Sequence, residues 1–186
     1  MPVEQVRLLA LLGDSGIDAT VRKHWGRVKP GTPEEKLAEV RRFTNDLRAG
    51  TGDVTRGKAL FTKHCGACHK LFGEGGTIGP DITNTSRGDT AWLLASVVDP
   101  DAVVRAQYAQ VAIRTKDEVI RTGIIAEQDG ASVTLIDAKG EKTRVARDRI
   151  DALRDLPTSL MPEKLLDALT PQERRDLFRY LQQPRK

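Results

Sequence analysis

The sequence predicts a mainly helical chain with one small antiparallel β insertion and a helical-repeat-like segment at its N-terminal end. Three observations carry that expectation. Apolar residues recur at helical spacing on both sides of a middle stretch, whereas between residues 109 and 154 they alternate with a period of two. Helix starts are marked by Asp89 before an apolar run and by Thr170-Pro171-Gln172-Glu173, a capping box with proline at the first helical position. Turn residues fall at regular intervals inside the alternating stretch.

Taken in order, Val3 to Leu12 reads as a helix ended by Gly13 and Ile17 to Trp25 as a second ended by Gly26. Thr32-Pro33-Glu34-Glu35 reads as a capping box opening a third helix to Arg48. A helical pair cannot bury both faces alone, so residues 1–50 read as the end of an upstream helical repeat, hinged at Thr51 to Thr55 to a second unit over residues 53–186. Arg56 to Lys63 continues as a helix, and a further one runs from Asp89 through Trp92, Leu93 and Val97 to a stop at Asp99-Pro100. The β insertion occupies residues 105–154, with strands at Ala109 to Arg114, Val119 to Glu127, Ser132 to Ile136 and Lys142 to Ala146. Residues 147–152 read as a short turn and closing strand, giving a meander or small barrel loosely similar to the Sm-like barrel. The last helix carries Leu177, Tyr180 and Leu181.

Composition narrows the function classes. No apolar run approaches the roughly 20 residues of a membrane helix, since Leu8 to Leu12 is closed by Gly13 and Asp14. No secretory signal pattern opens the chain, so any export signal lies outside this sequence. The net charge of +4 comes from 30 basic residues interleaved with 26 acidic ones, with only 4% aromatics, which argues against a nucleic-acid partner.

The two cysteines are the most informative residues, lying three apart and followed by histidine in His64-Cys65-Gly66-Ala67-Cys68-His69. A disulfide there would close one short loop and constrain little of the chain. A zinc site lacks its second pair of ligands, because the other histidines are His24 and His64. A thioredoxin-like dithiol expects a strand before CxxC, whereas a helix precedes it here. Covalent attachment of one haem c uses every residue of the motif: both thiols lie on one turn to meet two vinyl groups, and His69 projects under the iron as proximal ligand.

With these residues in view the sequence resembles class I cytochrome c, whose first and last helices cross at a glycine and an aromatic, matched here by Gly57, Phe61 and Tyr180. The resemblance implies that the Pro80 carbonyl, in Gly79-Pro80-Asp81-Ile82, receives the Nδ1 hydrogen of His69. It further implies that Met161, in Ser159-Leu160-Met161-Pro162, is the sixth iron ligand, ahead of the other candidates Met1, His24 and His64. Arg87, Trp92 and Lys164 are candidates for propionate or haem-edge contacts. The order of motifs is similar to the C-terminal CxxCH haem-binding domain of large dehydrogenase-like proteins of Planctomycetes and Verrucomicrobia. That likeness implies an electron carrier rather than an enzyme, in a periplasmic or exported location, taking electrons from a redox partner or an upstream dehydrogenase domain. A haem sensor or weak peroxidase with a displaceable distal ligand, and a metal-free interaction domain, are the competing readings. The insertion is expected to shield the distal haem edge or to dock a partner.

Overall fold

A computed structural model describes residues 3–184. Its elements run α1 (Val3–Leu9), α2 (Ser15–Trp25), β1 (Arg27–Val28), α3 (Glu34–Arg48), α4 (Val54–His64), β2 (Lys70–Leu71), β3 (Glu74–Gly75), α5 (Thr90–Val98), β4 (Val103–Val104), β5 (Gln110–Thr115), β6 (Ile120–Gln128), β7 (Ser132–Ile136), β8 (Lys142–Ala146), β9 (Ile150–Asp155) and α6 (Pro171–Leu181). Six helices and a five-stranded sheet make this a mixed α/β chain, which corrects the mainly helical expectation: β9 is a full strand and widens the insertion into a substantial second layer.

The helical core is organised by the crossing of α4 and α6. Asp53 caps α4 by accepting from the Arg56 N–H, and the Thr170 to Glu173 box caps α6 with both of its reciprocal bonds in place. At the crossing a Cβ on Gly57 would lie 2.0 Å from the Asp176 carbonyl oxygen, so the residue must be glycine for the backbones to meet. Tyr180 then packs against Phe61, with ring centroids 5.6 Å apart, and edge-on to Phe72 at 5.8 Å. Buried Asp176 joins the two helices, accepting from the Asp53 N–H at 2.7 Å, from Arg56 Nε at 2.7 Å and from Gln172 Nε2 at 2.8 Å.

Phe43 of α3 lies in the same apolar cluster as Phe61, Leu94, Leu177 and Phe178. The third helix therefore belongs to this core, and the division at residue 50 separates elements that pack together. The hinge expected at Thr51 to Thr55 is likewise tied down: a Cβ on Gly52 would meet the Arg175 carbonyl at 2.0 Å. The start of α3 also differs from expectation. Pro33 stands at the N-cap, no side chain caps the helix, and Thr32 falls one residue outside the register a capping box needs. The α1 helix ends at Leu9, with tighter turns carrying the chain to Gly13 at φ 62°.

The insertion forms a sheet of order β8-β7-β6-β5-β9, a meander whose last strand returns to the first. Alternation places Val111, Ile113, Val133, Leu135 and Val145 in a core of their own. A register shift between Ile125 and Glu127 bends β6. Asp129 and Asp137 fix the two following turns by accepting backbone N–H groups. The tip of the β7–β8 hairpin reaches the helical unit, where Gly140 sits against Ile78. Separately, a short ladder of β1 with β4, pairing Arg27 with Val104 and Val28 with Val103, joins the chain after α2 to the chain just after α5. No helix among the described residues is long and apolar enough to cross a membrane.

Candidate cofactor site

The chain leaves α4 at Cys65 without losing its helical turn. Cys65 donates its N–H to the Phe61 carbonyl at 2.8 Å, and its own carbonyl accepts from Cys68 N at 3.1 Å and His69 N at 2.9 Å. Both sulfurs and the imidazole are thereby carried on one continuous turn, and all three residues are half-buried. The cysteines are free rather than bridged. Burial, with a smaller contribution from Cys68, pushes the Cys65 thiol up to about 12, and burial raises Cys68 in the same direction.

The glycine-rich segment after the motif folds back over it. Leu71 and Glu74 pair in the β2–β3 hairpin, with Phe72 at φ 53° in its turn. Gly76 donates to the Gly66 carbonyl at 2.8 Å and Gly79 to the Cys68 carbonyl at 2.8 Å. A Cβ on Gly79 would sit 2.7 Å from Cε1 and 2.9 Å from Nδ1 of His69, so backbone alone covers this part of the ring. One residue on, the Pro80 carbonyl lies 3.0 Å from His69 Nδ1. A carbonyl can only accept, so Nδ1–H donates and Nε2 keeps its lone pair.

Met161 is half-buried in the irregular stretch between β9 and α6, and its N–H donates to Ser159 Oγ at 3.1 Å. Leu60, Phe72, Ile82, Trp92 and Val97 are partly buried and pack against the buried helical cluster. Of the remaining candidates, His24 is exposed at the end of α2 against Trp25, and Met1 lies outside the described residues. His64 is held in the last turn of α4 next to Cys65. Lys164 is exposed.

Arg87 departs from its expected role. It is buried, stacks 4.6 Å over the Phe72 ring, and donates to the carbonyls of Thr83, Leu181 and Gln183. Those bonds make it the cap for the end of α6, because the last carbonyls of a helix have no partner within it.

Several residues that shape the site were not singled out from sequence. Lys36 is buried and pairs with Glu163 at 3.2 Å, and Asp101 accepts the Ser159 N–H at 2.6 Å. Burial works against the Lys36 charge, but the bond to Glu163 and nearby carboxylates outweigh it and hold its pKa above the ordinary lysine value. A signal was available, since Lys36 falls on the stripe that buries Val40, Phe43 and Leu47 of α3, where a cation needs a partner.

The donor set fits covalent haem c: two unbridged thiols on one turn, and an imidazole whose orientation and tautomer are fixed through Nδ1. Residues 54–129 match the family model for cytochrome c, a span from the first residue of α4 to the end of β6. No curated protein matches the chain. The match places Cys65 and Cys68 within a cytochrome c-like span, and covalently bound haem c and electron transfer are what it supports.

Proposed function

We propose that the chain is a one-electron relay in which His69 and Met161 hold the iron of its haem c from opposite faces. The observation that carries this reading is the 3.0 Å bond from His69 Nδ1 to the Pro80 carbonyl, which commits the imidazole to the tautomer that leaves Nε2 for metal. Haem c bound here supplies a reversible ferric/ferrous couple. The chain does the rest. Cys65 and Cys68 anchor, Pro80 orients His69, and Leu60, Phe72, Ile82, Trp92 and Val97 keep water from the cofactor. Met161 offers a thioether, which favours ferrous iron and raises the potential, as suits an acceptor of electrons from an organic oxidation.

The donor in this reading is a redox partner or a dehydrogenase domain of the same polypeptide, as in the dehydrogenase-like proteins of Planctomycetes and Verrucomicrobia that the sequence resembles. Thioether attachment of haem further assigns the mature protein to the periplasm or another exported compartment, which fractionation of native cells would check. The direct test is an optical spectrum of the purified chain before and after dithionite, followed by acid-acetone extraction. A Soret band that shifts reversibly on reduction, with the haem staying on the protein, is expected. Haem passing into the organic phase would overturn the reading.

A further inference from the structure

We propose that the N-terminal segment is a clasp on the Met161 loop, with Lys36 a positioning residue for the distal ligand; this rests on the reading of Met161 given above. Three basic side chains from one stretch of chain reach successive points of that loop directly, and a fourth, Lys29, reaches it through Asp101. Arg27 Nη2 donates to the Thr158 carbonyl at 3.3 Å. Lys29 Nζ lies 3.2 Å from Asp101 Oδ2, while Asp101 Oδ1 accepts the Ser159 N–H at 2.6 Å. Lys36 Nζ pairs with Glu163 Oε2 at 3.2 Å, and Arg42 pairs with Asp167. The order of donors along the chain follows the order of contacts along the loop, and Met161 lies between the second grip and the third.

The loop needs holding from outside. Between β9 and α6 it has no strand or helix of its own, and just past Met161 the non-glycine Lys164 sits at φ 61°, a conformation that local preference disfavours. Of the four grips, those of Arg27, Lys29 and Arg42 come from partly or well exposed residues and are individually weak. Lys36 differs, because its side chain is only 7% exposed. Were Glu163 to swing away with the loop, a buried ammonium would lose its hydrogen-bonded partner, so opening carries a penalty that exposed pairs do not impose. The segment is itself fastened behind this point. Buried Arg7 pairs with buried Asp99 at 2.7 Å, and the β1–β4 ladder joins the segment to the chain just after α5.

The experiment uses the full haem-loaded chain and cyanide as the probe, since cyanide binds ferric iron only when the methionine gives way. Wild type is expected to show the near-infrared sulfur-to-iron band and to bind cyanide slowly. Glu163→Gln and Lys36→Met should each speed cyanide binding about tenfold, the factor that a loss of roughly 1.4 kcal/mol of loop-closing free energy gives. The double variant should be no faster than either single one, because the two act as one pair. Arg56→Gln, which breaks an ion pair between α4 and α6, should lower the melting temperature and leave the cyanide rate alone. Glu163 is half-exposed, so its variant tests the clasp even if Lys36→Met fails to fold. Unchanged cyanide rates in a wild-type background that has the band would overturn the clasp while leaving Met161 as ligand. Absence of the band in wild type, with cyanide binding as fast as in Met161→Ala, would overturn the ligand assignment and the clasp with it.

Discussion

The two segments proposed to face the iron, the His69 turn and the Met161 loop, are held in opposite ways. Around His69 the hydrogen-bonded restraints are local: the turn from Cys65, the Gly79 N–H on the Cys68 carbonyl, and the Pro80 carbonyl eleven residues on. Around Met161, besides the local bond from its own N–H to Ser159 Oγ, the loop is held by side chains 58 to 131 positions away. A local cage is complete once one short segment folds, whereas a long-range cage exists only when the whole chain has assembled. Damage on the His69 side should therefore abolish cofactor binding, and damage on the Met161 side should change how open the iron is.

The largest effect separating the two faces is expected from Cys65→Ser with Cys68→Ser, which should leave no covalent haem on denaturing gels stained for it. Single replacements should retain one thioether each. Covalent haem in the double variant would break the comparison at its root.

Next in size, Gly57→Val should destabilise the whole helical unit by about 2–3 kcal/mol, since the added carbons meet the Asp176 carbonyl and the cost of overpacking is of that order. Denaturant unfolding of the holoprotein would measure it. Because α4 and α6 support both segments, the Soret band should shift and the near-infrared band vanish in one transition of that titration.

A smaller, pH-dependent effect sharpens the role of Asp176. The bond from Arg56, reinforced by the Asp53 N–H and Gln172 against the cost of burial, holds its carboxyl well below the usual carboxylate range. A depressed pKa contributes stability that is complete above the unfolded value of roughly 4 and is lost as pH falls through the folded one. Asp176→Asn should thus cost stability at neutral pH, and the gap to wild type should close in acid. A gap independent of pH would contradict the ionic role.

The smallest effect belongs to the insertion. The Lys142 to Glu127 pair joins two exposed side chains, so Lys142→Ala should change stability by less than about 0.5 kcal/mol and leave the spectra untouched.

This division also explains what was legible in the sequence. The CxxCH turn, the Asp89 and Thr170 caps and the strands Ser132–Ile136 and Lys142–Ala146 rest on neighbouring residues, and pattern alone found them, whereas the long-range crossing at Gly57 was reached through the resemblance to class I cytochrome c. What escaped was long-range. Phe43 looked like one apolar position of a detached helix because its partners Phe61 and Phe178 lie far along the chain. Arg87 read as a cofactor contact because its carbonyl acceptors at Leu181 and Gln183 belong to another helix end. Asp101 was not singled out, because nothing near it in the sequence indicates that the Ser159 N–H would need it. The approach of the insertion's hairpin tip at Gly140 to Ile78, two residues before Pro80, was long-range in the same way and left no mark on the local pattern.

The central claim, that two differently built faces close on one iron through His69 and Met161, is tested most directly by the near-infrared spectrum of the ferric protein with and without Met161→Ala. Wild type should show the sulfur-to-iron charge-transfer band, and the variant should lose it, bind carbon monoxide readily when reduced and fall in potential. A variant whose spectrum and potential match wild type would contradict the account.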